Sequence, residues 1–204
     1  MTTPQDDPQV TANSLREWGH HVESVLRGLA HALNNRAAAL SAVIELSSEP
    51  DDDPAATRQI LVEELSRVQD LVKVVRAVGV PRPGAEAIAP ADLAPEIQGV
   101  LALHADLKDR AVRIDTSAAP AVRVPRWMFT RALVSLAASA EPPAGERSVT
   151  LTIGQDGDWM VARVPGGRSD YAGELAVAMG GEPLDDASGF RIPTLETLRR
   201  REAR

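Results

Sequence analysis

The longest proline-free stretch of the chain carries apolar residues at steps of three or four. The pattern runs from Ser14 to Ser47 within this stretch, and the recurring residues are Leu15, Trp18, Val22, Leu26, Leu29, Leu33, Ala37, Leu40 and Ile44. This period predicts one long helix with a single buried stripe. Ser14 and Glu17 fit a capping box at its start, in which both side chains bond backbone amides. Pro50 and the acidic residues after it end the helix.

A second amphipathic helix is predicted from Pro54 to about Val78, with apolar residues at Leu61, Leu65, Val68, Val72 and Val75. Because only a short loop joins the two helices, residues 14–78 are expected to form an antiparallel hairpin. A hairpin alone leaves each apolar stripe half covered. We therefore expect a homodimer, in which two hairpins form a four-helix bundle.

One histidine lies on the predicted solvent side of the first helix. His31 falls between the stripe residues Leu29 and Leu33, so its imidazole is expected to point into solvent. Arg27 lies one turn before it and Asn35 one turn after it. A neutral imidazole is nucleophilic near cellular pH, although a surface histidine is more often merely solvated. The residues around His31 must decide between these interpretations.

Composition excludes several classes of function. The net charge of -7 argues against a general affinity for nucleic acid or for anionic membranes. The chain has no cysteine, which excludes disulfides and thiolate metal sites. Adjacent His20 and His21 diverge by about 100° on a helix, so no metal site is expected there. No run approaches the roughly 20 apolar residues of a membrane span, and residues 1–13 are predicted to be a flexible polar tail. We expect a cytoplasmic protein.

The second half of the chain mixes helix and strand patterns after a linker predicted at residues 79–90. Within residues 91–204, the predicted helices are Asp92–Lys108, Pro125–Ala140, Tyr171–Met179 and a basic terminal helix. The predicted strands are Val112–Ile114, Val122–Val124, Ser148–Ile153, Trp159–Val164 and Phe190–Ile192. Such segregated elements predict a small α/β sandwich with a largely antiparallel sheet, and hence the α+β fold class.

The order of these elements resembles the core of a two-component sensor histidine kinase. The run His31-Ala32-Leu33-Asn34-Asn35 is similar to that family's H-E-L-x-N box, and Pro125–Ala140 takes the place of its N-box helix. Tyr171–Gly181 resembles the helix and paired glycines that follow the family's ATP lid. The resemblance implies a dimerising hairpin that bears a phosphoacceptor histidine, His31, followed by a domain of the ATP-binding type.

The second domain departs from the family at the positions that would hold ATP. Leu133–Ala140 contains no asparagine, and Val164–Gly167 lacks the family's Asp-x-Gly motif. Only three residues separate Gly167 from Tyr171, so the phosphate-covering lid is missing. The hairpin departs as well, because Ala32 replaces the usual acid. We therefore predict a degenerate ATPase-like domain with no bound cofactor or metal, and no ATP-dependent autokinase activity.

The function that the resemblance then implies is phosphoryl relay. We predict a histidine phosphotransferase with His31 as phosphoacceptor and Asn35 orienting the phosphoryl group or a water. Arg27, Asn34 and Arg36 are the candidate partner-binding residues. The expected partners are an upstream hybrid histidine kinase and a response-regulator receiver domain, which brings its own aspartate and Mg²⁺. The alternatives are a non-catalytic adaptor, a phosphatase of a response regulator acting through Asn35, and an atypical histidine kinase.

Overall fold

The computed structural model describes residues 11–46, 54–79, 84–142 and 144–203. Its helices are α1 Ala12–Leu46, α2 Pro54–Gly79, α3 Pro90–Leu103, α4 Arg126–Ala138, α5 Asp170–Ala178 and α6 Leu195–Glu202. Its strands are β1 Glu86–Ile88, β2 Ala111–Asp115, β3 Val122–Val124, β4 Ser148–Asp156, β5 Trp159–Arg163, β6 Glu182–Pro183 and β7 Gly189–Pro193. The hairpin loop, residues 80–83 of the predicted linker and most of the predicted tail lie outside the described residues.

Helices α1 and α2 pack together as the predicted hairpin. The capping box predicted at the start of α1 is wrong. Thr11 precedes the helix, and its Oγ1 accepts a hydrogen bond from the backbone N–H of Ser14 at 3.3 Å. The carboxylate of Glu17 instead bonds residues of α4 and α5, far along the chain. Glu17 therefore bonds residues distant in the chain instead of the backbone amide at the helix start that the capping box predicts.

The α/β layer contains a mixed sheet of five strands in the order β2-β4-β5-β7-β6. Strands β2 and β4 are parallel and the remaining pairs are antiparallel. Along β4, Val149, Leu151 and Ile153 are buried while Thr150 and Thr152 are exposed, so one face of the sheet is covered. Together with the hairpin, this sheet confirms the predicted α+β fold.

Short irregular elements were not predicted. Strand β1 lies within the predicted linker, where it pairs with β3 over only three residues. The helix predicted to reach Lys108 ends at Leu103, and a 3₁₀ turn covers Ala105–Leu107. His104 between them has extended backbone angles, and its buried side chain bonds α1. The helix ends there although no proline or glycine marks the position.

The hairpin and the sheet domain share one hydrophobic core. Trp18 and Val25 of α1 and Val78 of α2 belong to the same buried cluster as Phe129 and Phe190. Gly28 makes the closest approach, because a Cβ at that position would lie 1.8 Å from the carbonyl oxygen of Leu103. Only glycine fits there without movement of the backbone. The first half of α1 is therefore seated on the helices of the second domain.

Much of the predicted apolar stripe is exposed in the single chain. The exposed residues of the stripe are Leu15, Leu26, Leu33 and Ile44 on α1 and Leu65, Val72 and Val75 on α2, and Ile60 and Val62 outside the stripe are exposed as well. The hairpin thus retains an uncovered apolar face, which is what the predicted four-helix bundle would bury. The dimer itself stays a prediction. None of the helices in the described residues has the length and apolar character needed to cross a membrane.

Candidate functional site

The turn that carries His31 lies just beyond the part of α1 that is seated on the second domain. His31, Asn34 and Asn35 are all exposed there. Asn35 Nδ2 lies 3.3 Å from His31 Nε2, because residues four apart are neighbours on a helix surface. An amide N–H that donates to Nε2 requires the lone pair of the ring to be on that nitrogen and the ring proton on Nδ1. In that arrangement the ring lone pair lies on Nε2, the nitrogen that faces Asn35.

Charged side chains surround the preceding turn of α1. Arg27 pairs with Glu23 at 3.2 Å and with Asp106 of the second domain at 3.8 Å. His20 Nε2 lies 3.3 Å from the other oxygen of Asp106. A hydrogen bond with Ser24 lowers the pKa of Asp106, and the positive charge of Arg27 acts in the same direction. Arg27 is thus held beside the His31 turn by acids from two elements.

Arg36 connects the two helices of the hairpin. Its guanidinium donates to both carboxylate oxygens of Glu64 on α2, at 3.3 and 3.2 Å. Arg67 also donates to Glu64, which is buried. Burial acts to raise the pKa of Glu64, but the bonds from the two arginines lower it. The structure therefore places Arg36 against α2, and the partner-binding roles predicted for Arg27, Asn34 and Arg36 stay predictions.

A buried polar cluster joins α1 to α4 and α5. Glu17 Oε1 accepts hydrogen bonds from the hydroxyls of Ser135, at 2.8 Å, and Ser169. Its Oε2 accepts from the backbone N–H of Tyr171 at 3.1 Å. Burial acts to raise the pKa of Glu17, yet the nearby His21 and hydrogen bonds from Ser169, Tyr171 and Ser135 lower it to about 2. Glu17 is therefore ionised at neutral pH.

Two buried histidines extend this cluster toward α3. His21 Nδ1 lies 3.1 Å from His104 Nε2, and His104 Nδ1 lies 3.2 Å from the hydroxyl of Ser24. Burial lowers the pKa of His104 to about 4, and the nearby His21 contributes in the same direction. His104 is therefore neutral at cellular pH. It holds α1 against the end of α3.

Arg131 of α4 makes a third group of contacts between the hairpin and the second domain. Its guanidinium lies 5.0 Å from the ring centroids of both Trp18 and Trp127, a distance at which cation–π attraction operates. It also donates to the carbonyl oxygen of Val78, at the end of α2, at 3.0 Å. Tyr171 stacks on Trp18, with the two ring centroids 5.4 Å apart. Both helices of the hairpin are thus fixed to the second domain.

The residues that seat α1 form a pattern visible in the sequence. Ser14, Glu17, His21, Ser24 and Gly28 recur at steps of three, four, three and four, and Ser14, His21 and Ser24 are buried. A search for apolar periodicity passes over such a series of polar and small residues. Their spacing is nevertheless that of one helix face. This series is the feature of the sequence from which the contact between α1 and the second domain could have been predicted. It does not identify the residues of α4 and α5 that α1 contacts.

The positions at which the resemblance would place an ATP site make contacts within the protein instead. Ser135 lies on α4, the helix in the N-box place, and its hydroxyl is bonded to Glu17. The Gly166-Gly167 pair forms a tight turn, in which Gly166 has a φ of 72° and a Cβ would lie 2.8 Å from the carbonyl oxygen of Glu141. Among the described residues, no group of three or more acids and histidines has the arrangement of a metal site.

Comparisons with known proteins find similar solved structures but no matching family model. No family model matches the chain, and no curated protein matches it. Among solved structures, it is similar to the histidine kinase AdeS of Acinetobacter baumannii, with 12% sequence identity and a TM-score of 0.42. The alignment covers 81% of this chain and 98% of the AdeS chain. A likeness at this level carries no information about activity.

Proposed function

We propose that this protein is a histidine phosphotransferase that passes a phosphoryl group between the receiver aspartates of response regulators through His31, without binding ATP itself. The observation that carries the proposal is the exposed His31 with the amide of Asn35 3.3 Å from its Nε2. The residues of this turn are the ones that resemble the phosphoacceptor box of histidine kinases.

The chemistry requires only a few groups from this chain. The lone pair of Nε2 attacks the phosphorus of an aspartyl phosphate, the new P–N bond forms, and the aspartate oxygen leaves as a carboxylate. The ring keeps its proton on Nδ1, so no base is needed at the moment of attack. The Asn35 amide, released from Nε2, is within reach of a phosphoryl oxygen. Alignment and charge neutralisation dominate such transfers, and the receiver partner is expected to supply the aspartate and Mg²⁺.

The contacts of Glu17 with α4 and with the start of α5 support the part of the proposal that excludes ATP. In a nucleotide site, backbone amides and cations surround the phosphates. Here the amino-terminal end of α5 is capped by Ser169 and by the carboxylate of Glu17, and Ser135 is engaged by the same carboxylate. A negatively charged side chain at this place repels a polyphosphate. In this proposal the second domain serves as the structural support against which α1 packs.

The partners follow from the same proposal. An upstream hybrid histidine kinase would supply the phosphoryl group, and a response-regulator receiver domain would exchange it with His31 in the cytoplasm. Arg27, Asn34 and Arg36 are the proposed contacts around the histidine. The uncovered apolar face of the hairpin supports a homodimer, since two such faces would bury each other in a four-helix bundle.

A phosphatase activity is the second candidate, and the position of Asn35 favours it. An amide beside the reacting histidine is placed to orient a water toward a receiver's aspartyl phosphate. Removal of the amide distinguishes the two functions. Asn35→Ala would abolish water-driven loss of receiver phosphate while leaving transfer to His31 measurable. A relay requires phosphorylation of the His31 imidazole, so His31→Ala would abolish the relay.

The test is a transfer assay with receiver domains phosphorylated by acetyl phosphate. Wild-type protein is expected to acquire acid-labile phosphate from a receiver and none from ATP. His31→Ala is expected to acquire none, whereas His20→Ala, which removes a histidine that is 63% exposed on the same helix, is expected to behave as wild type. A receiver that binds without transferring label would establish the adaptor instead. Label from ATP would establish an atypical kinase.

A further inference from the structure

Hydrogen-bond donors from two helices of the second domain converge on one carboxylate of α1. The Ser135 hydroxyl of α4 and the Ser169 hydroxyl both point to Glu17 Oε1, and the Tyr171 N–H at the start of α5 points to Oε2. Ser169 also caps α5, since its hydroxyl accepts from the N–H of Ala172 at 3.0 Å. The start of a helix carries partial positive charge and free N–H groups, which favour an anion.

A fourth polar group points at the same carboxylate. His21 is only 6% exposed, and its Nε2 has no hydrogen-bond partner among the described residues. This atom lies 3.9 Å from Glu17 Oε1, which is beyond hydrogen-bond length. The other nitrogen of His21 is 3.1 Å from His104, which in turn is 3.2 Å from Ser24, so the ring orientation is fixed. An anion facing Nε2 favours the tautomer that carries its proton there, directed toward the anion.

We propose that these groups form an oxyanion-binding site that the chain fills with its own Glu17, and that this internal ligand closes the second domain onto α1. The site is selective for a small planar oxyanion such as a carboxylate, because its donors approach the two oxygens from different helices. Glu17 and His21 come from the hairpin, whereas Ser135, Ser169 and Tyr171 come from the sheet domain. Occupancy of the site and closure of the two parts are therefore the same event. The proposal is independent of any reaction at His31.

The test is chemical rescue of a variant that lacks the internal ligand. Glu17→Ala leaves a gap of carboxylate size, and its melting temperature is expected to fall by about 5 °C. Acetate in the tens-of-millimolar range is expected to restore part of that loss, while chloride at the same ionic strength does not. Glu45→Ala, which removes an exposed acid from the same helix, is expected to show neither the loss nor the response to acetate.

Two further variants make the outcome decisive. Removing a donor as well, in Glu17→Ala/Ser135→Ala, is expected to abolish the advantage of acetate over chloride. If Glu17→Ala does not fold, Glu17→Gln keeps the shape without the charge. Hydrogen exchange of the Tyr171 amide should then be about tenfold faster than in wild type, because a charge-assisted hydrogen bond is replaced by a neutral one. An acetate effect no larger than that of chloride, or unchanged exchange at Tyr171 in Glu17→Gln, would overturn the proposal.

Discussion

Mild acid should destabilise this protein through His104. The side chain is 2% exposed, and burial lowers its pKa from 6.5 to about 4. Nearby His21, His20 and Arg27 act in the same direction as burial, and Asp106 opposes them. Between these two pKa values the unfolded chain binds a proton that the folded chain excludes. Stability is therefore complete above about pH 6.5 and is lost as the pH falls toward 4.

The size of this effect follows from the two pKa values. At pH 5 the unfolded state has gained most of its proton and the folded state almost none, which costs about 2 kcal/mol, rising to about 3 kcal/mol near pH 4. Glu17 changes the unfolding free energy little in this window. Its pKa falls from 4.5 to about 2 on folding, so its contribution to stability is lost only as the pH falls below 4.5. The interval from about pH 7.5 to about pH 5 therefore isolates His104 from Glu17.

Urea unfolding at one protein concentration, repeated across that interval, measures the effect. Wild type should lose about 2 kcal/mol of unfolding free energy with an unchanged slope against urea. His104→Gln keeps a polar group of similar reach but cannot titrate, so its stability should be lower at neutral pH and nearly flat over the interval. His31→Gln removes an exposed histidine and should retain the wild-type decline. An equal decline in His104→Gln would refute this account of the junction.

The close approach of α1 and the uncovered hairpin face give two further predictions. Gly28→Ala should cost at least about 2 kcal/mol in urea unfolding, because its methyl group collides with the Leu103 carbonyl. Gly19→Ala on the same helix meets no atom within 4 Å and should stabilise the protein by up to about 1 kcal/mol, and equal effects of the two changes would contradict the geometry. Wild type should be a dimer in analytical ultracentrifugation, as proposed, and Leu65→Asp should convert it to monomer. Val177→Asp on α5 should not, although the two residues are 57% and 59% exposed; a dimer that survives Leu65→Asp would place the interface elsewhere.

Local patterns in the sequence predict the helices well but not the face by which α1 meets the rest of the molecule. The apolar period correctly gives one long helix, yet Leu15 and Leu26 of its stripe are exposed. Trp18 of the same stripe is buried, and so is His21, which the stripe does not include, on the side that packs against the second domain. Hydrophobic periodicity measures where apolar residues recur and does not weigh a glycine or serine that allows close packing. The apolar period therefore gives only part of the surface through which α1 packs.

The two parts of the candidate site differ in the same way. The contact between His31 and Asn35 spans one helical turn, so sequence spacing alone predicts that the two side chains are neighbours. The bonds of Glu17 to Ser135 and Tyr171 span 118 and 154 positions. Such contacts depend on the complete fold and leave no local signal. The capping box drawn for Glu17 failed for this reason.

The most direct test of the proposed function identifies the phosphorylated atom. Protein labelled with ¹⁵N in its histidines would be incubated with a phosphorylated receiver domain and observed by ³¹P and ¹⁵N NMR. The geometry predicts one phosphohistidine, with phosphorus coupled to Nε2 of His31, and no such signal in His31→Ala. Phosphate on Nδ1, on another histidine, or on no histidine of a protein that binds the receiver would contradict the proposed role of His31.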